Sequence, residues 1–391
     1  MVNRRVPLIV GMVGGALAFA YFLSTGGTST TKPASAAHQR EKADPSPEGS
    51  GHPRDDERIV SDAERLDALS RAQVWREPEV PVSRAKLTRT EATPLALTCR
   101  FRLNALGGTT SKFDCDVEGD KVRIKYGTGP ELPAEAAATR LLHVLGFGAD
   151  DVAFVPRLRC HGCPAAPFVI AKVVEATHTT PLYEKALDYD DYHDFEWVVL
   201  ERKFDARPIA TERVDGWSFH ELGRIDASKG GATRAHVDAL RLLAVFLAHW
   251  DNKAENQRLV CLSREWPEGT PCRAPFAMIQ DLGATFGPRK VDLDEWERAE
   301  IFEDRARCRI SMRGLPYDGA TFDAVDISEA GRRHLAGLLS QLSDRQLTDL
   351  FSGARFDQQR SMFTEVHPVA DWIRVFKAKV QTITDGPSCP S

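Results

Sequence analysis

The sequence predicts an α+β protein with a strand-rich first part and a helical second part, preceded by one N-terminal membrane helix. Strand-like runs and one clear helix fill residues 95–203, and helical patterns dominate from about Asp205 onward. An apolar fraction of 42% over 391 residues is enough for an ordinary buried core. The net charge of −5, with both signs interspersed, argues against nucleic acid as a partner.

Residues 1–24 are predicted to hold the protein in a membrane. Arg4 and Arg5 precede an uncharged run of 18 residues, 6–23, which is about the minimum length for a helix that spans a bilayer. We expect the basic end to stay in the cytoplasm and the rest of the chain to lie outside it, in a periplasmic or extracellular space. The alternative is a signal peptide cleaved at Ala34-Ser35-Ala36, which would make the protein secreted.

Residues 25–75 are predicted to be a flexible linker. Up to about Glu57 the segment is rich in Ser, Thr, Pro, Gly and charged residues and has very few aliphatic ones, so it cannot bury enough surface to fold. A charge-rich helix is expected at 61–72.

Eight cysteines, an even number, are typical of disulfide bonds formed in an oxidising compartment. Cys160 and Cys163 form a lone CxxC, which is open to a local disulfide, two unrelated thiols or a structural zinc site. Residues 261–272 are predicted to be a hairpin insert that a bond between Cys261 and Cys272 could pin.

The strand-rich part, residues 76–204, is expected to contain a β-hairpin, one main helix and further strands. Its predicted strands lie at 95–103, 113–117, 121–126, 168–175 and 196–203. The loop 104–112 carries Gly107 and Gly108, and the predicted helix at 131–144 is ended by Gly146 and Gly148.

The helical part, residues 205–391, is expected to be built on a buried helix at 236–248, which is apolar nearly all round. A short strand is predicted at 276–279. Further helices are predicted at 326–342, 343–351 and 369–383.

Polar residues suited to phosphoryl transfer follow the buried helix and the short strand. This chemistry needs a carboxylate for the acceptor hydroxyl, oxygen ligands for magnesium and a cation on the nucleotide phosphates. We predict that Asp251 orients the acceptor and that Lys253 neutralises charge on the transferred group. Asn256 and Asp281 are predicted to hold the metal.

A second set of residues is predicted to meet the nucleotide. Lys125, at the end of a predicted strand, is expected to grip the phosphates, and Glu135 is expected to hold it by an ion pair. The glycine pair Gly107 and Gly108 is open to a phosphate cradle or a simple turn.

These residues together resemble the motifs of the protein-kinase-like superfamily. The pattern His249-x-Asp251-x-Lys253-x-x-Asn256 resembles the kinase catalytic loop, and Asp281-Leu282-Gly283 resembles the Asp-Phe-Gly motif. Ile124-Lys125 resembles the strand of the nucleotide lysine, and Glu135 resembles the paired glutamate of atypical and secretory-pathway kinases.

The resemblance is stronger to atypical branches of the superfamily. The loop Gly108-Thr109-Thr110-Ser111-Lys112 is similar to that of HipA-type kinases, and the whole set is also similar to CotH-type and phosphatidylinositol kinases. This likeness implies a bilobal kinase-like fold, with a β-rich N-lobe and a helical C-lobe. It implies that Ser111 and Lys112 join the glycines at the nucleotide and that Glu201 lies at the hinge beside adenine, where backbone groups bind.

The chain departs from ordinary protein kinases in three places. It has no GxGxxG loop, Trp250 replaces the usual arginine, and no Ala-Pro-Glu follows Asp281. Recognition of a peptide substrate in the ordinary way is therefore not expected.

The predicted function is a kinase that uses ATP and Mg²⁺ or Mn²⁺ to phosphorylate a hydroxyl of a protein, a lipid or a small molecule. The alternatives are a pseudokinase that acts as a binding or scaffold protein of the cell envelope, and nucleotidyl transfer to a protein hydroxyl. The sequence has neither the GxSxG nor the HExxH motif of common hydrolases.

Overall fold

The computed structural model describes residues 58–87, 95–312, 324–358, 365–386 and 388–389. They form a mixture of sheets and helices, as the sequence predicts. No helix within these ranges is long and apolar enough to cross a membrane. The predicted membrane segment and residues 25–57 of the predicted linker lie outside the described residues.

The strands divide into a closed barrel, a mixed sheet and a small ribbon. In chain order they are β1 (Arg58–Ile59), β2 (Ala96–Arg102), β3 (Lys112–Val117), β4 (Asp120–Lys125), β5 (Asp151–His161), β6 (Tyr192–Arg202), β7 (Arg207–Ala210), β8 (Gln257–Cys261), β9 (Pro275–Ile279), β10 (Arg309–Ile310) and β11 (Val325–Asp326). The barrel has the order β2-β3-β4-β6-β5, the sheet has the order β1-β7-β8-β9, and β10 pairs with β11.

Among the described residues, four helices precede residue 205 and five follow it. In chain order they are α1 (Asp62–Ser70), α2 (Glu131–Leu145), α3 (Pro167–Ala176), α4 (Thr180–Lys185), α5 (Arg234–Phe246), α6 (Leu293–Arg298), α7 (Glu329–Leu339), α8 (Asp344–Gly353) and α9 (Val369–Thr384). The predicted helices at 131–144, 236–248 and 369–383 agree closely with α2, α5 and α9.

The barrel closes because its first strand, β2, pairs with β5 at the other end of the strand order. This pair is parallel, and all other neighbouring strands of the barrel are antiparallel. Its interior is filled by inward-facing side chains such as Phe113 and Ile124, which are fully buried. In this barrel β4 lies between β3 and β6, so the end of β4 can meet side chains from both neighbours.

Two features of the strand-rich part, residues 76–204, differ from the prediction. The segment 168–175 is helical, within α3, and not a strand; its buried residues Pro167, Ala171 and Val174 follow helical spacing, and the proline lies at the helix start. The strand β5, which pairs with β6 over most of its length, was also not predicted.

The helix α2 connects the barrel to the helical part. It contacts β5 on one side and α8 on another, and most of its residues are buried. It ends at Gly146, whose φ of 87° and tight contact with the backbone of Arg76 leave no room for a side chain. Through α2, the outer face of the barrel, with Val152, Phe154 and Val199, joins the hydrophobic core of the helices, while the barrel interior forms a separate cluster.

Residues 58–75, the end of the predicted linker, belong to the folded protein. The strand β1 pairs in parallel with β7, and α1 begins with a capping box between Ser61 and Glu64. Arg65 of α1 is buried and forms an ion pair of 2.9 Å with Glu221. These contacts, which join distant parts of the chain, explain why composition alone did not predict them.

The cysteines form four disulfide pairs. They are Cys99–Cys115, Cys160–Cys163, Cys261–Cys272 and Cys308–Cys389. The pair Cys261–Cys272 pins the connection between β8 and β9, as predicted. The CxxC forms a local disulfide, which is one of the three alternatives left open by the sequence.

Candidate active site

Lys125, the last residue of β4, lies between two buried carboxylates. Its Nζ atom is 2.6 Å and 2.7 Å from the two carboxylate oxygens of Glu135 and 3.1 Å from Oε2 of Glu201. Glu135 lies one turn into α2, and Glu201 lies on β6, the barrel neighbour of β4. The ion pair expected between Lys125 and Glu135 is present, while the role of both residues toward a nucleotide stays a prediction.

The electrostatics of this group keep Lys125 charged. Burial opposes the charge on Lys125, but Glu135 and Glu201 outweigh it and raise the pKa of the ammonium well above its ordinary value. Burial raises the pKa of Glu135, while the ammonium of Lys125 at 2.6 Å acts in the opposite direction and favours the ionised carboxylate of the pair. For Glu201, Lys125 and Lys203 outweigh burial and hold its pKa well below the usual range.

The side chain of Glu201 belongs to this charged group, whereas the sequence predicted a role only for its backbone, at adenine. Its side chain is 3% exposed and binds both Lys125 and Lys203. Lys203 in turn lies 2.8 Å from Oδ2 of Asp150. Val198 and Leu200 face the barrel interior, so by strand alternation Glu201 points to the opposite face of β6, toward α2 and Glu135.

Lys112 is brought to the same end of the barrel. It begins β3 directly opposite Lys125, and burial together with the charge of Lys125 lowers its pKa. Asp281 and Glu201 act on it in the opposite direction, so it lies within the field of the candidate site. Two cations on adjacent strands suit a ligand with several negative charges.

The loop before β3 folds back toward Lys112. Gly108 has a φ of 70°, which favours glycine, and a Cβ atom there would lie 3.4 Å from Nζ of Lys112. A Cβ at Gly107 would meet nothing within 4 Å, and the Ser111 carbonyl accepts a bond from the Tyr126 amide at 3.0 Å. The structure thus places Gly108 next to Lys112 and uses the Ser111 backbone within the barrel.

His249 connects the loop after α5 to the segment after β9. It is fully buried, and its Nε2–H donates to the backbone carbonyl of Asp281 at 3.1 Å. Burial lowers the pKa of His249 to about 4, so the ring is neutral at pH 7. The Asn252 amide donates to the His249 carbonyl at 2.9 Å, which fixes the loop from its own side. His249 is therefore a structural residue and not a base.

Asp251, Lys253 and Asn256 lie on that same loop. The Asn256 amide nitrogen donates to the Asp251 carbonyl at 2.6 Å, and the Lys253 ammonium is 3.4 Å from Oδ1 of Asp251. Both members of this ion pair are partly exposed, at 33% for the aspartate and 49% for the lysine side chain. Asp251 is thus held by its backbone while its carboxylate stays accessible.

Asp281 follows β9 and is tied to this loop through its main chain. The Asn256 carbonyl accepts from the Asp281 amide at 3.1 Å, and Oδ1 of Asp281 accepts from the Gly283 amide at 2.9 Å. Although burial opposes its ionisation, Lys125 and the Gly283 bond lower the pKa of Asp281. A Cβ at Gly283 would lie 2.4 Å from Cγ of Glu131, so only glycine fits there.

The donor set of Asn256 and Asp281 fits a divalent cation of the magnesium type. Asp281 is ionised, and Asn256 commits its amide nitrogen to Asp251, which leaves the amide oxygen as the atom that can bind a cation. Carboxylate and amide oxygens are hard ligands, which Mg²⁺ and Mn²⁺ prefer. Phosphate oxygens of a nucleotide commonly complete such a site.

Glu131 joins the glycine loop to Lys290 through contacts that the sequence did not predict. Glu131, the first residue of α2, accepts a hydrogen bond from Thr110 of the glycine loop and forms an ion pair with Lys290. Lys290 also lies 6.0 Å from the ring centre of Trp250. No local motif marks Glu131 or Lys290, since they are 159 positions apart.

Taken together, the fold brings Lys112 and Lys125 into the electrostatic range of Glu201 and Asp281, and Asn256 is bonded to the main chain of Asp281. No protein-family model matches the sequence, and no curated protein matches it. Among solved structures, the crystal structure of a Helicobacter pylori proinflammatory kinase CtkA is similar at 9% identity and a TM-score of 0.37, covering 73% of this chain and 92% of that chain. A TM-score this low does not establish a shared fold, so the interpretation rests on the geometry of the site.

Proposed function

We propose that this protein is an atypical kinase that transfers the γ-phosphoryl group of ATP to a hydroxyl of a protein, a lipid or a small molecule. The observation that carries this proposal is the connected arrangement of a charged, buried Lys125 and an ionised Asp281. Glu135 and Glu201 hold the lysine, while His249 and Asn256 hold the aspartate through its main chain.

Each residue has a role that follows from its position. Lys125 and Lys112 bind the phosphates, with the backbone around Gly107, Gly108 and Ser111 covering them. Asn256 and Asp281 hold Mg²⁺ or Mn²⁺, which supplies charge neutralisation to the phosphates when bound.

Asp251 receives the acceptor hydroxyl. As the bond from the acceptor oxygen to the γ-phosphorus forms, the bond from that phosphorus to the bridging oxygen breaks and ADP leaves. The hydroxyl proton passes to Asp251, and Lys253 neutralises charge on the transferred group. Glu201 supports the reaction through its contact with Lys125, in addition to any backbone contact with adenine.

We also propose that the catalytic part lies outside the cytoplasm, attached to the membrane by the N-terminal segment. The uncharged run at 6–23 supports the attachment. The four disulfide pairs support an oxidising compartment.

The test uses the full chain, purified in detergent, in its native form and as Asp281→Asn. We expect ATP with Mg²⁺ to stabilise the native protein by about 2.7 kcal/mol at ~100 times its dissociation constant, and the variant to lose the magnesium-dependent part. The matched control is Asp294→Asn at an exposed position of α6, which should behave like the native chain.

Labelled nucleotide then separates the candidate activities. Label carried from the γ-phosphate of ATP to protein or lipid extracts identifies a kinase, whereas label carried from the α-phosphate identifies nucleotidyl transfer. Binding without transfer of either label would favour a pseudokinase, and absence of magnesium-dependent binding would contradict the proposal.

A further inference from the structure

Three buried cysteines of the barrel bring their sulfur atoms close together, and a fourth, half-buried cysteine is bonded to one of them. Cys99 of β2 lies directly opposite Cys160 of β5, and Cys115 lies on β3, the other neighbour of β2. The sulfur atoms of these three residues all lie within 4.8 Å of one another. Cys163 joins the cluster because it is bonded to Cys160.

The two disulfides of this cluster touch each other. The Sγ atoms of Cys115 and Cys160, which belong to different disulfides, are 3.7 Å apart and buried. Among the described residues, the group of three or more Cys, His, Asp or Glu ligand atoms that all lie within 4.8 Å of one another is the one formed by Cys99, Cys115 and Cys160. The pairs Cys261–Cys272 and Cys308–Cys389 lie outside it.

The distance of 3.7 Å between the Sγ atoms of Cys115 and Cys160 matches the spacing of two thiolates bound to one zinc ion. In a tetrahedral zinc site with Zn–S bonds of about 2.3 Å, neighbouring sulfurs are about 3.8 Å apart. The Cys-x-x-Cys spacing of Cys160 and Cys163 is one that structural zinc sites use. Cys99 and Cys115, which the sequence places far from this motif, supply the other two ligands.

We propose that these four cysteines form a redox-dependent metal site, with two disulfides in the oxidised protein and one tetrathiolate-bound zinc ion in the reduced protein. This site is separate from the proposed kinase site and does not depend on it. Zinc would then join β2, β3 and β5 when the covalent bonds are absent, and so keep Lys112 at the start of β3 in place.

The chemistry requires a reductant of the dithiol class. Its thiolate attacks Cys163, the half-buried member of the cluster, while Cys99, Cys115 and Cys160 are at most 2% exposed. Two dithiols each become a disulfide, and four electrons and four protons pass to the two protein disulfides, whose S–S bonds break. Binding of Zn²⁺ to the four thiols then releases the four protons.

The test uses the full chain reduced with a phosphine, which replaces the dithiol without competing for zinc. After addition of zinc and desalting we expect one zinc ion per chain, and cobalt in its place should show thiolate-to-metal charge-transfer absorption. Cys99→Ser/Cys160→Ser should bind zinc at least about tenfold more weakly. The control Cys261→Ser/Cys272→Ser removes a disulfide outside the cluster and should keep the full stoichiometry.

Alkylation of the unmutated chain gives a second test that does not depend on the folding of the variants. In the reduced protein, zinc should protect the four cluster cysteines from alkylation but leave the other four reactive. Equal alkylation of all eight with and without zinc, or zinc binding that survives in Cys99→Ser/Cys160→Ser, would overturn the proposal. It would also be overturned if the phosphine failed to open the two cluster disulfides in the folded chain.

Discussion

The neutral ring of His249 donates a hydrogen bond to the backbone carbonyl of Asp281 at 3.1 Å, across 32 positions of the chain. The Asn256 carbonyl accepts from the Asp281 amide on the other side of the same residue. The loop that carries Asp251 and the segment that carries Asp281 are thus joined at both polar atoms of one residue's backbone. These two bonds hold Asp251, which is predicted to orient the acceptor hydroxyl, in a fixed position relative to Asp281, the predicted metal ligand.

The burial of His249 predicts a specific loss of stability in acid. Its pKa is about 4 in the folded protein because burial disfavours the charged ring, whereas an unfolded histidine has a pKa of about 6.5. Between these values the unfolded chain binds a proton that the folded chain does not, so the free energy of unfolding falls as pH falls. The contribution of this residue is about 3 kcal/mol over that window.

The measurement is urea unfolding at several pH values for the native chain and His249→Gln. Since glutamine cannot take up the proton, the stability of the native chain relative to the variant should fall by about 3 kcal/mol from pH 7 to pH 4. His220→Asn, at an exposed position, is the control and should follow the native curve. Parallel curves for the native chain and His249→Gln would contradict the prediction.

Replacement of Lys125 by methionine should damage both stability and nucleotide binding. The substitution leaves Glu135 and Glu201 buried without their shared cation, which costs about 3–5 kcal/mol in comparable buried pairs. It should also abolish the stabilisation by ATP. Unfolding in urea with and without ATP measures both effects.

The control for Lys125 is Lys121→Met on the same strand. The Lys121 side chain is 50% exposed and its ammonium lies 3.5 Å from Asp114, so its loss should cost less than about 1 kcal/mol. Asp114 is buried but keeps Arg123 at 2.9 Å when Lys121 is lost. Equal stability of the two variants would show that the pairing around Lys125 contributes no more than the half-exposed Lys121.

The sequence brings several residues of the candidate site together without tertiary structure, because their motifs are local. Asp251 and Asn256 lie on one loop and Asp281 ends a short strand, so their chemistry is visible without tertiary structure. Lys125 and Glu135 end a strand and enter the next helix, and short connections bring such neighbours together. The ion pair between Glu131 and Lys290 depends on tertiary packing, and no local sequence pattern predicts it.

The differences between the predicted and the observed fold have similar physical causes. The run from Phe168 to Glu175 is short and rich in β-branched residues, so its composition favours a strand while its burial follows a helix. The strand β5 contains Pro156, which is depleted in strands, and this hid its pattern. Residues 58–75 fold only because α1 and β1 find partners far along the chain.

Replacement of Asp251 by alanine should separate binding from turnover. Its carboxylate is partly exposed and paired only loosely with Lys253, so its removal should leave magnesium-dependent ATP binding within about twofold. Loss of a general base should slow phosphoryl transfer by about 10²–10⁴-fold. The control is Glu255→Ala, an exposed residue of the same loop, and loss of ATP binding in Asp251→Ala would contradict the assigned role.

Glu131 should weaken nucleotide binding in the native protein. Its carboxylate lies between Lys290 and Thr110 of the glycine loop, which is proposed to cover the phosphates, and its side chain lies against Gly283. The side chains of Glu131 and Lys290 are 18% and 25% exposed. In Glu131→Gln the amide oxygen can still accept from Thr110, but the negative charge is gone and Lys290 is released toward the phosphates.

We therefore expect Glu131→Gln to bind ATP about two- to fivefold more tightly, as fits the loss of one partly screened charge. Lys290→Met should shift the affinity in the opposite direction, and both effects should shrink at high salt because exposed charges are screened. Titration calorimetry at two salt concentrations measures this, with Glu175→Gln on the exposed face of α3 as the control. Weaker ATP binding by Glu131→Gln would mean instead that the ion pair between Glu131 and Lys290 organises the site for the nucleotide.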